Sequence, residues 1–214
     1  MVQSRPARGL RTAWCVCEPG RMVSEPAVPS APWARSSPAA PLAVVLAGVS
    51  GSGKSTVGQL LAARLHWQWA DGDSFHSAAN IAKMAARHPL TDSDRLPWLA
   101  EIGRWIGQET SQGRSVVVAC SALKRDYRDV LRAGHPQVRI VYLAVDPDTL
   151  RSRMNARRGH MFAAEMLASQ LADLQPPTPD EDVAVVRSQE SPEATVDEVI
   201  AVEQLERFCQ GPTD

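Results

Sequence analysis

Long apolar runs are missing from this chain. The most continuous one, Leu42 to Val49, is eight residues long, whereas a bilayer-spanning helix needs about 20. No secretory core follows Arg5, Arg8 and Arg11, because only the short stretch Ala13–Cys17 stands behind them. Cysteine is scarce. Cys15, Cys17, Cys120 and Cys209 are too few and too scattered for a disulfide scaffold. Cys15 and Cys17 have no second pair at ligand spacing, so no zinc site is expected there. His66, His88 and His135 show no metal spacing either. An excess of one charge sign is also absent. The formal net charge is −1, which offers no global basic field to nucleic acid. Composition therefore excludes a collagen-like chain, a membrane span and a disulfide-stapled secreted module. The 214 residues, 44% hydrophobic and 22% charged, are those of one globular domain, or one domain with an appendage.

Two textures divide the chain. Residues 1–41 hold seven of the sixteen prolines and five arginines, but only two acids, Glu18 and Glu25. Proline fixes φ and removes a donor, so neither ladders nor long helices are expected there. The segment reads as a disordered extension. A bland tail or an over-long gene start fits it best; a transit peptide and a partner-binding arm are the other readings. From residue 42 onward, 42–214 reads as one folded domain, and it is net acidic.

In that domain, apolar runs alternate with helical patterns. Strands are expected at Leu42–Ala47, Trp67–Ala70, Ser115–Cys120, Val138–Val145 and Val183–Val186. Helices are expected at Ser55–Leu65, Pro97–Ser111, Leu123–Ala133, after the Asp146-Pro147 cap, and at Thr195–Phe208. Strands separated by helices mean βαβ units and a parallel sheet. Trp98, Leu99, Ile102 and Trp105 read as core, and Cys120 as a small buried hydrophobe rather than a nucleophile.

One motif carries chemistry by itself. Gly48-Val49-Ser50-Gly51-Ser52-Gly53-Lys54-Ser55 satisfies G-x-x-x-x-G-K-[ST], follows an apolar strand and opens a helix. Glycines let the backbone turn tightly and aim N–H groups at phosphate oxygens. The helix N-terminus adds its positive dipole end. Lys54 is expected on the β- and γ-phosphates of ATP, the Ser55 hydroxyl on Mg²⁺, and Thr56 next to it at the nucleotide. Asp71 and Asp73 follow the second strand. Two residues apart on an extended segment, they point the same way, and could serve the metal shell and a substrate hydroxyl. Asp-Gly-Asp is also ordinary turn chemistry; the phosphate loop tips the balance to function.

Several stretches together resemble the gluconokinase family: Gly48–Thr56 (GVSGSGKST), Asp71–His76 (DGDSFH), Asn80–Met84 (NIAKM), Pro89–Leu99 (PLTDSDRLPWL), Cys120–Arg128 (CSALKRDYR) and Gly159–Gln170 (GHMFAAEMLASQ). They stand in the family's order across residues 42–205. The resemblance implies an α/β P-loop kinase fold like that of shikimate and nucleoside-monophosphate kinases. This is a five-stranded parallel sheet flanked by helices, with a helical lid. The implied reaction is transfer of the ATP γ-phosphoryl group to the 6-hydroxyl of D-gluconate, with Mg²⁺, in the cytoplasm. Dimers occur in the family, so a homodimer is one state it allows; membrane and nucleic-acid partners are not implied.

By the same resemblance His76, Arg95, Lys124 and Arg128 surround the sugar acid. Lys124 and Arg128, at i and i+4, can converge from one helical face. Asp73 is expected at the acceptor hydroxyl and Asp71 in the metal shell, two roles that could be exchanged. Arg153, Arg157, Arg158 and His160 fall in the lid, and Arg158 joins Lys54 and Asp73 in the expected catalytic set. The chain departs from the family pattern at Arg87, where a glycine is expected before x-P-L, at Met161 and at Gln175. A kinase of another small hydroxylated acid and a non-catalytic ATP-binding switch share the phosphate loop and are the rival readings.

Overall fold

The computed structural model describes residues 40–155, 160–189 and 191–209, with the side chains of 154–166 left aside. The expected N-terminal extension lies outside the described residues, apart from its last two positions. The elements run β1 (Ala43–Ala47), α1 (Lys54–Leu65), β2 (Gln68–Asp71), a 3-10 turn (Gly72–Phe75), α2 (Ala78–Ala85), α3 (Asp92–Ser111), β3 (Val116–Ala119), α4 (Arg125–Arg132), β4 (Val138–Ala144), α5 (Pro147–Asn155), α6 (His160–Asp173), β5 (Val183–Arg187) and α7 (Pro192–Val202).

The five strands form one sheet in the order β2-β3-β1-β4-β5, every pair parallel. β1 is central and buried throughout, because the sheet is covered on both faces. The strand period of two assigns its side chains alternately. Ala43, Val45 and Ala47 face α3 and α4, with Trp98, Leu99, Ile102, Tyr127 and Leu131. Val44 and Leu46 face α1 and α7, with Val57, Leu61, Val199 and Ile200. Each such large aliphatic side chain contributes roughly 1.5–3 kcal/mol by burial. The chain passes from β1 over β3 to the edge strand β2 and later returns to β4 on the opposite side. The connections therefore part at the carboxyl ends of β1 and β3, where ligands bind in sheets of this kind. There the Gly48 N–H donates to the Ser121 carbonyl at 3.1 Å, tying the loops after β1 and β3 together.

The strands lie where the apolar runs place them; the helices differ more. α3 starts at Asp92, not at Pro97. Its start is a reciprocal cap, in which Asp94 accepts from the Thr91 N–H at 2.9 Å and from the Thr91 hydroxyl at 2.8 Å. Pro97 then sits inside the helix and forgoes only the bond to the Ser93 carbonyl. The Asp146 cap is present, its carboxylate accepting from the Thr149 N–H at 2.8 Å. The last helix stops at Val202, because Gln204 adopts φ 53° and the Leu205 N–H closes back on the Ile200 carbonyl at 2.9 Å. α2 and α6 were not readable as periodic patterns. α2 buries only Asn80, and α6 meets the core through Leu167, beside Val49, Leu123 and Leu150.

Among the described residues, one ion pair is fully buried. Arg128 on α4 is fully buried, and its guanidinium grips Glu181 through two bonds of 2.7 Å. The same side chain donates to the carbonyls of Ala122, Leu123 and Gln175 at 3.1–3.3 Å. It therefore fastens the 174–181 segment, which leads from α6 to β5, onto the loop after β3. Arg128 holds the Glu181 carboxyl below its ordinary 4.5, so the pair's contribution is complete above that pH and fades as pH falls beneath it. Arg128→Leu leaves a buried carboxylate without its partner and is expected to cost about 3–5 kcal/mol. The Arg128→Leu/Glu181→Leu double variant should recover much of that loss. Urea unfolding midpoints check both.

Candidate active site

The loop after β1 turns on glycines that a side chain would strain. Gly48, Gly51 and Gly53 have φ of 139°, 84° and 94°, and a Cβ on Gly48 would stand 2.9 Å from Ser52 Oγ and 3.1 Å from the Leu143 carbonyl oxygen. Ser52 is buried beneath the loop. Lys54 opens α1, and its Nζ reaches back to the Val49 carbonyl at 2.9 Å. Ser55, one residue on, directs its hydroxyl to Asp71 Oδ2 at 3.2 Å. The phosphate loop and the end of β2 are thus joined by a hydroxyl and a carboxylate, both hard oxygen donors.

Asp71 and Asp73 both line the cavity, but not as an extended pair. β2 ends at Asp71, and the chain tightens into the 3-10 turn that Asp71 caps, its Oδ1 accepting from the Asp73 N–H at 3.1 Å. The turn is possible because Gly72 has no side chain: a Cβ there would lie 2.3 Å from the Ala119 carbonyl oxygen. Trp98 Nε1 donates to the Gly72 carbonyl at 2.7 Å from beneath. The Trp98 ring, expected as plain core, is buried as such and also stacks on His76 with centroids 4.2 Å apart and planes 16° apart. Burial lowers the pKa of His76, while Asp73 opposes the shift. The Asp73 side chain itself is 86% exposed, into the cavity.

The cavity holds about 540 Å³, ample for small ligands. Its floor is the carboxyl end of β3. One side carries the phosphate loop with Lys54, Ser55 and Thr56; the other carries His76, Met84, Arg87, His88, Arg95 and Trp98. Cys120 at the floor is buried, and its thiol is pushed up to about 12, which keeps it protonated and unreactive.

The cations expected around a sugar acid separate. Arg95 lines the cavity and pairs with Asp173 at 3.1 Å. Lys124 pairs with Asp92 at 2.8 Å and lies 3.9 Å from Asp173; it braces α3, α4 and α6 rather than lining the cavity. Arg128 is corrected outright: it is spent on Glu181 and three carbonyls inside the fold. Lys124 is extended, with φ −100° and ψ 153°, and only precedes α4. The two side chains therefore do not share a helical face, and they do not converge. Arg153, on α5 and expected in a lid, donates to Ser188 Oγ and the Gln189 carbonyl at 3.0 Å, and to the Gly51 carbonyl at 3.4 Å. Arg157 and Arg158 lie outside the described residues, as does the side chain of His160, the first residue of α6.

Three residues named in the sequence only as motif positions or, for Arg87, as a departure from the family pattern take up contacts at or beside the site. Gln170 on α6 accepts from the Ser50 N–H of the phosphate loop at 2.6 Å. Asn80, buried on α2, touches His76. Arg87 takes φ 61°, the left-handed geometry that a glycine serves, so the turn before Pro89 is kept and a guanidinium is added to the cavity wall. An isolated amide or arginine has no spacing to mark it; only the fold brings Arg87 and Gln170 to the cavity and Asn80 behind His76.

With this geometry in hand, the likeness to known proteins is specific. Residues 44–177 match the AAA domain family model. A gluconokinase of Gluconobacter oxydans is 41% identical over 166 residues, covering 78% of this chain and 93% of that one. The thermoresistant gluconokinase of Escherichia coli is 44% identical over 159 residues, covering 74% and 91%. The chain belongs to the gluconokinase family. A solved gluconokinase from Sinorhizobium meliloti superposes with a TM-score of 0.69 at 38% identity, covering 79% of this chain and 96% of that one. The gluconokinase fold is accordingly the P-loop kinase fold expected, with the five-stranded parallel sheet flanked by helices.

The Gly72 turn is the tightest point of this site. Gly72→Ala drives a methyl into a backbone carbonyl that cannot rotate away, and is expected to cost about 1–3 kcal/mol. The Trp98 indole N–H resonance should shift as its bond to Gly72 is disturbed. Urea unfolding and proton NMR check the two effects.

Proposed function

We propose that this protein transfers the γ-phosphoryl group of ATP to the 6-hydroxyl of D-gluconate, giving 6-phospho-D-gluconate and ADP, as a cytoplasmic, Mg²⁺-dependent enzyme. The observation that carries this reading is a single cavity in which a phosphate loop, two carboxylates and a cationic, aromatic wall face one another, in a chain of the gluconokinase family. The phosphate loop and Lys54 bind the phosphates and neutralise charge as the bond from phosphorus to the β–γ bridging oxygen breaks. Ser55 and Asp71 fit Mg²⁺, because their oxygens already meet at 3.2 Å; the ion supplies charge neutralisation on the phosphates. Asp73 orients the acceptor hydroxyl and takes its proton as the oxygen–phosphorus bond forms. Arg95 and Arg87 complement the carboxylate of the acid. α5, α6 and the arginines between them act as the lid that excludes water.

The deciding assay is ADP release with Mg·ATP and D-gluconate, beside shikimate, glucose, glycerate and AMP. Gluconate-dependent release, with 6-phosphogluconate as product, is expected. A response to another acid only would transfer the mechanism to that acceptor, and ATP binding without any acceptor would favour a switch. Lys54→Ala is expected to lower kcat by at least about 10²-fold; full activity in that variant would overturn the phosphate-loop assignment.

We place the catalytic domain in residues 42–214, with 1–41 as an extension. Among the described residues, the two main core clusters are built from residue 42 onward. Removing residues 1–41 should therefore leave turnover and Tm nearly unchanged. A steady-state assay and a melting curve of the shortened chain check this.

A further inference from the structure

The chain of polar contacts behind His76 sets where its proton sits. Asn80 is 5% exposed, so its amide must be satisfied inside the protein. Its Nδ2 lies 3.0 Å from the Asp94 backbone carbonyl oxygen. A carbonyl only accepts, so the atom facing it is the amide nitrogen, not the oxygen. That same nitrogen is 3.3 Å from His76 Nδ1. An NH₂ group has no lone pair to offer in such a contact, so Nδ1 must be the acceptor. A neutral imidazole that accepts at Nδ1 carries its proton on Nε2. Nε2 is the nitrogen that faces Asp73, 4.0 Å from its Oδ1, and both residues line the cavity. That separation is too long for a direct hydrogen bond. It does leave room for one oxygen atom within hydrogen-bond reach of both groups.

Each neighbouring element reinforces the arrangement. The Asp94 carbonyl belongs to the first turn of α3, which the Thr91–Asp94 cap fixes. The N-terminus of α2 is fixed by Ser77, whose hydroxyl accepts from the Asn80 N–H at 3.2 Å. The stacked Trp98 ring sets the plane of the imidazole. Burial disfavours the charged ring, in keeping with a neutral imidazole that both accepts and donates.

We propose that Asn80 is a positioning residue that holds His76 as the Nε2–H tautomer, so that His76 and Asp73 grip one substrate hydroxyl from two sides. The hydroxyl donates its hydrogen to Asp73 and accepts from His76 through one lone pair. Its second lone pair is left for attack on phosphorus. A carboxylate and a protonated imidazole would instead bond each other and close the gap. This inference rests on the kinase reading for the identity of the hydroxyl, but not for the tautomer.

The test uses the full chain labelled with ¹⁵N-histidine. The His76 signals, among five histidines, are those that vanish in His76→Gln. In the wild type, Nε2 is expected to resonate as a protonated, pyrrole-type nitrogen and Nδ1 as a pyridine-type one. In Asn80→Asp the carboxylate demands a proton on Nδ1. The pattern should reverse or become doubly protonated, and kcat/KM for gluconate should fall about tenfold or more, with KM for ATP unchanged. A proton on Nδ1 in the wild type overturns the proposal, as does an Asn80→Asp protein with the wild-type pattern and wild-type kcat/KM. Should Asn80→Asp fail to fold, His76→Gln and His76→Leu decide the activity arm. The glutamine amide puts a donor where Nε2–H stood and should retain at least about tenfold more kcat/KM than leucine; equal losses overturn the donor role. If the wild type does not phosphorylate gluconate, the functional reading fails by that result alone, and the nitrogen spectrum still decides the tautomer.

Discussion

The carbonyl of Gly72 is the point on which this site depends. It receives the indole N–H of Trp98 at 2.7 Å, while its Cα presses against the Ala119 carbonyl so closely that no side chain fits. The hydrogen bond comes from a helix whose other face is core, and the close approach comes from the neighbouring strand. Together they remove the freedom of the turn between β2 and α2. Asp71 is thereby held against Ser55, and Asp73 is held over the cavity. A buried donor left unmade would cost about 1–3 kcal/mol, so the core itself opposes any drift of the two carboxylates.

A second anchor secures the opposite wall. Arg128 could have been a substrate ligand by its sequence position, yet it lies fully buried and spends its donors on Glu181 and on backbone carbonyls. It fixes the segment behind α6. Lys124, Asp92, Asp173 and Arg95 continue the brace toward the cavity, joining the starts of α3 and α4 to the end of α6. The polar groups near this site thus divide by depth. Those inside the wall hold it in shape, while Arg87, Arg95, His76 and Asp73 line the cavity.

α6 reaches across to the phosphate loop through Gln170, whose side-chain oxygen occupies the Ser50 N–H. Phosphate oxygens would compete for donors of this kind, since the loop's N–H groups are what attract them. Arg153 makes the corresponding link from α5, through Ser188, Gln189 and the Gly51 carbonyl. α5 and α6 are therefore each in contact with the phosphate loop through one polar side chain.

Much of this molecule was legible in one dimension. Continuous apolar runs such as Ala43–Ala47 and Val116–Ala119, bounded by turn residues, fit strands buried on two faces, because both sides of such a strand must stay dry. The phosphate loop was legible because its function is performed by backbone, and backbone geometry is written in glycine spacing. Less was legible where contacts are distant in sequence. α2 escaped because it buries a single asparagine, and α3 was read five residues short because its start rests on a side-chain cap rather than on apolar period. The i, i+4 spacing of Lys124 and Arg128 misled, since the first of them precedes the helix. Local pattern determined the strands, the phosphate loop and the parallel sheet, because each follows from conformational preferences of neighbouring residues. Only the tertiary structure decided that Arg128 is a brace, that Trp98 fastens the turn between Asp71 and Asp73, and that Asn80 stands behind His76. Those roles depend on which distant groups share a buried volume, where an unmet donor is costly, and no spacing along the chain records that.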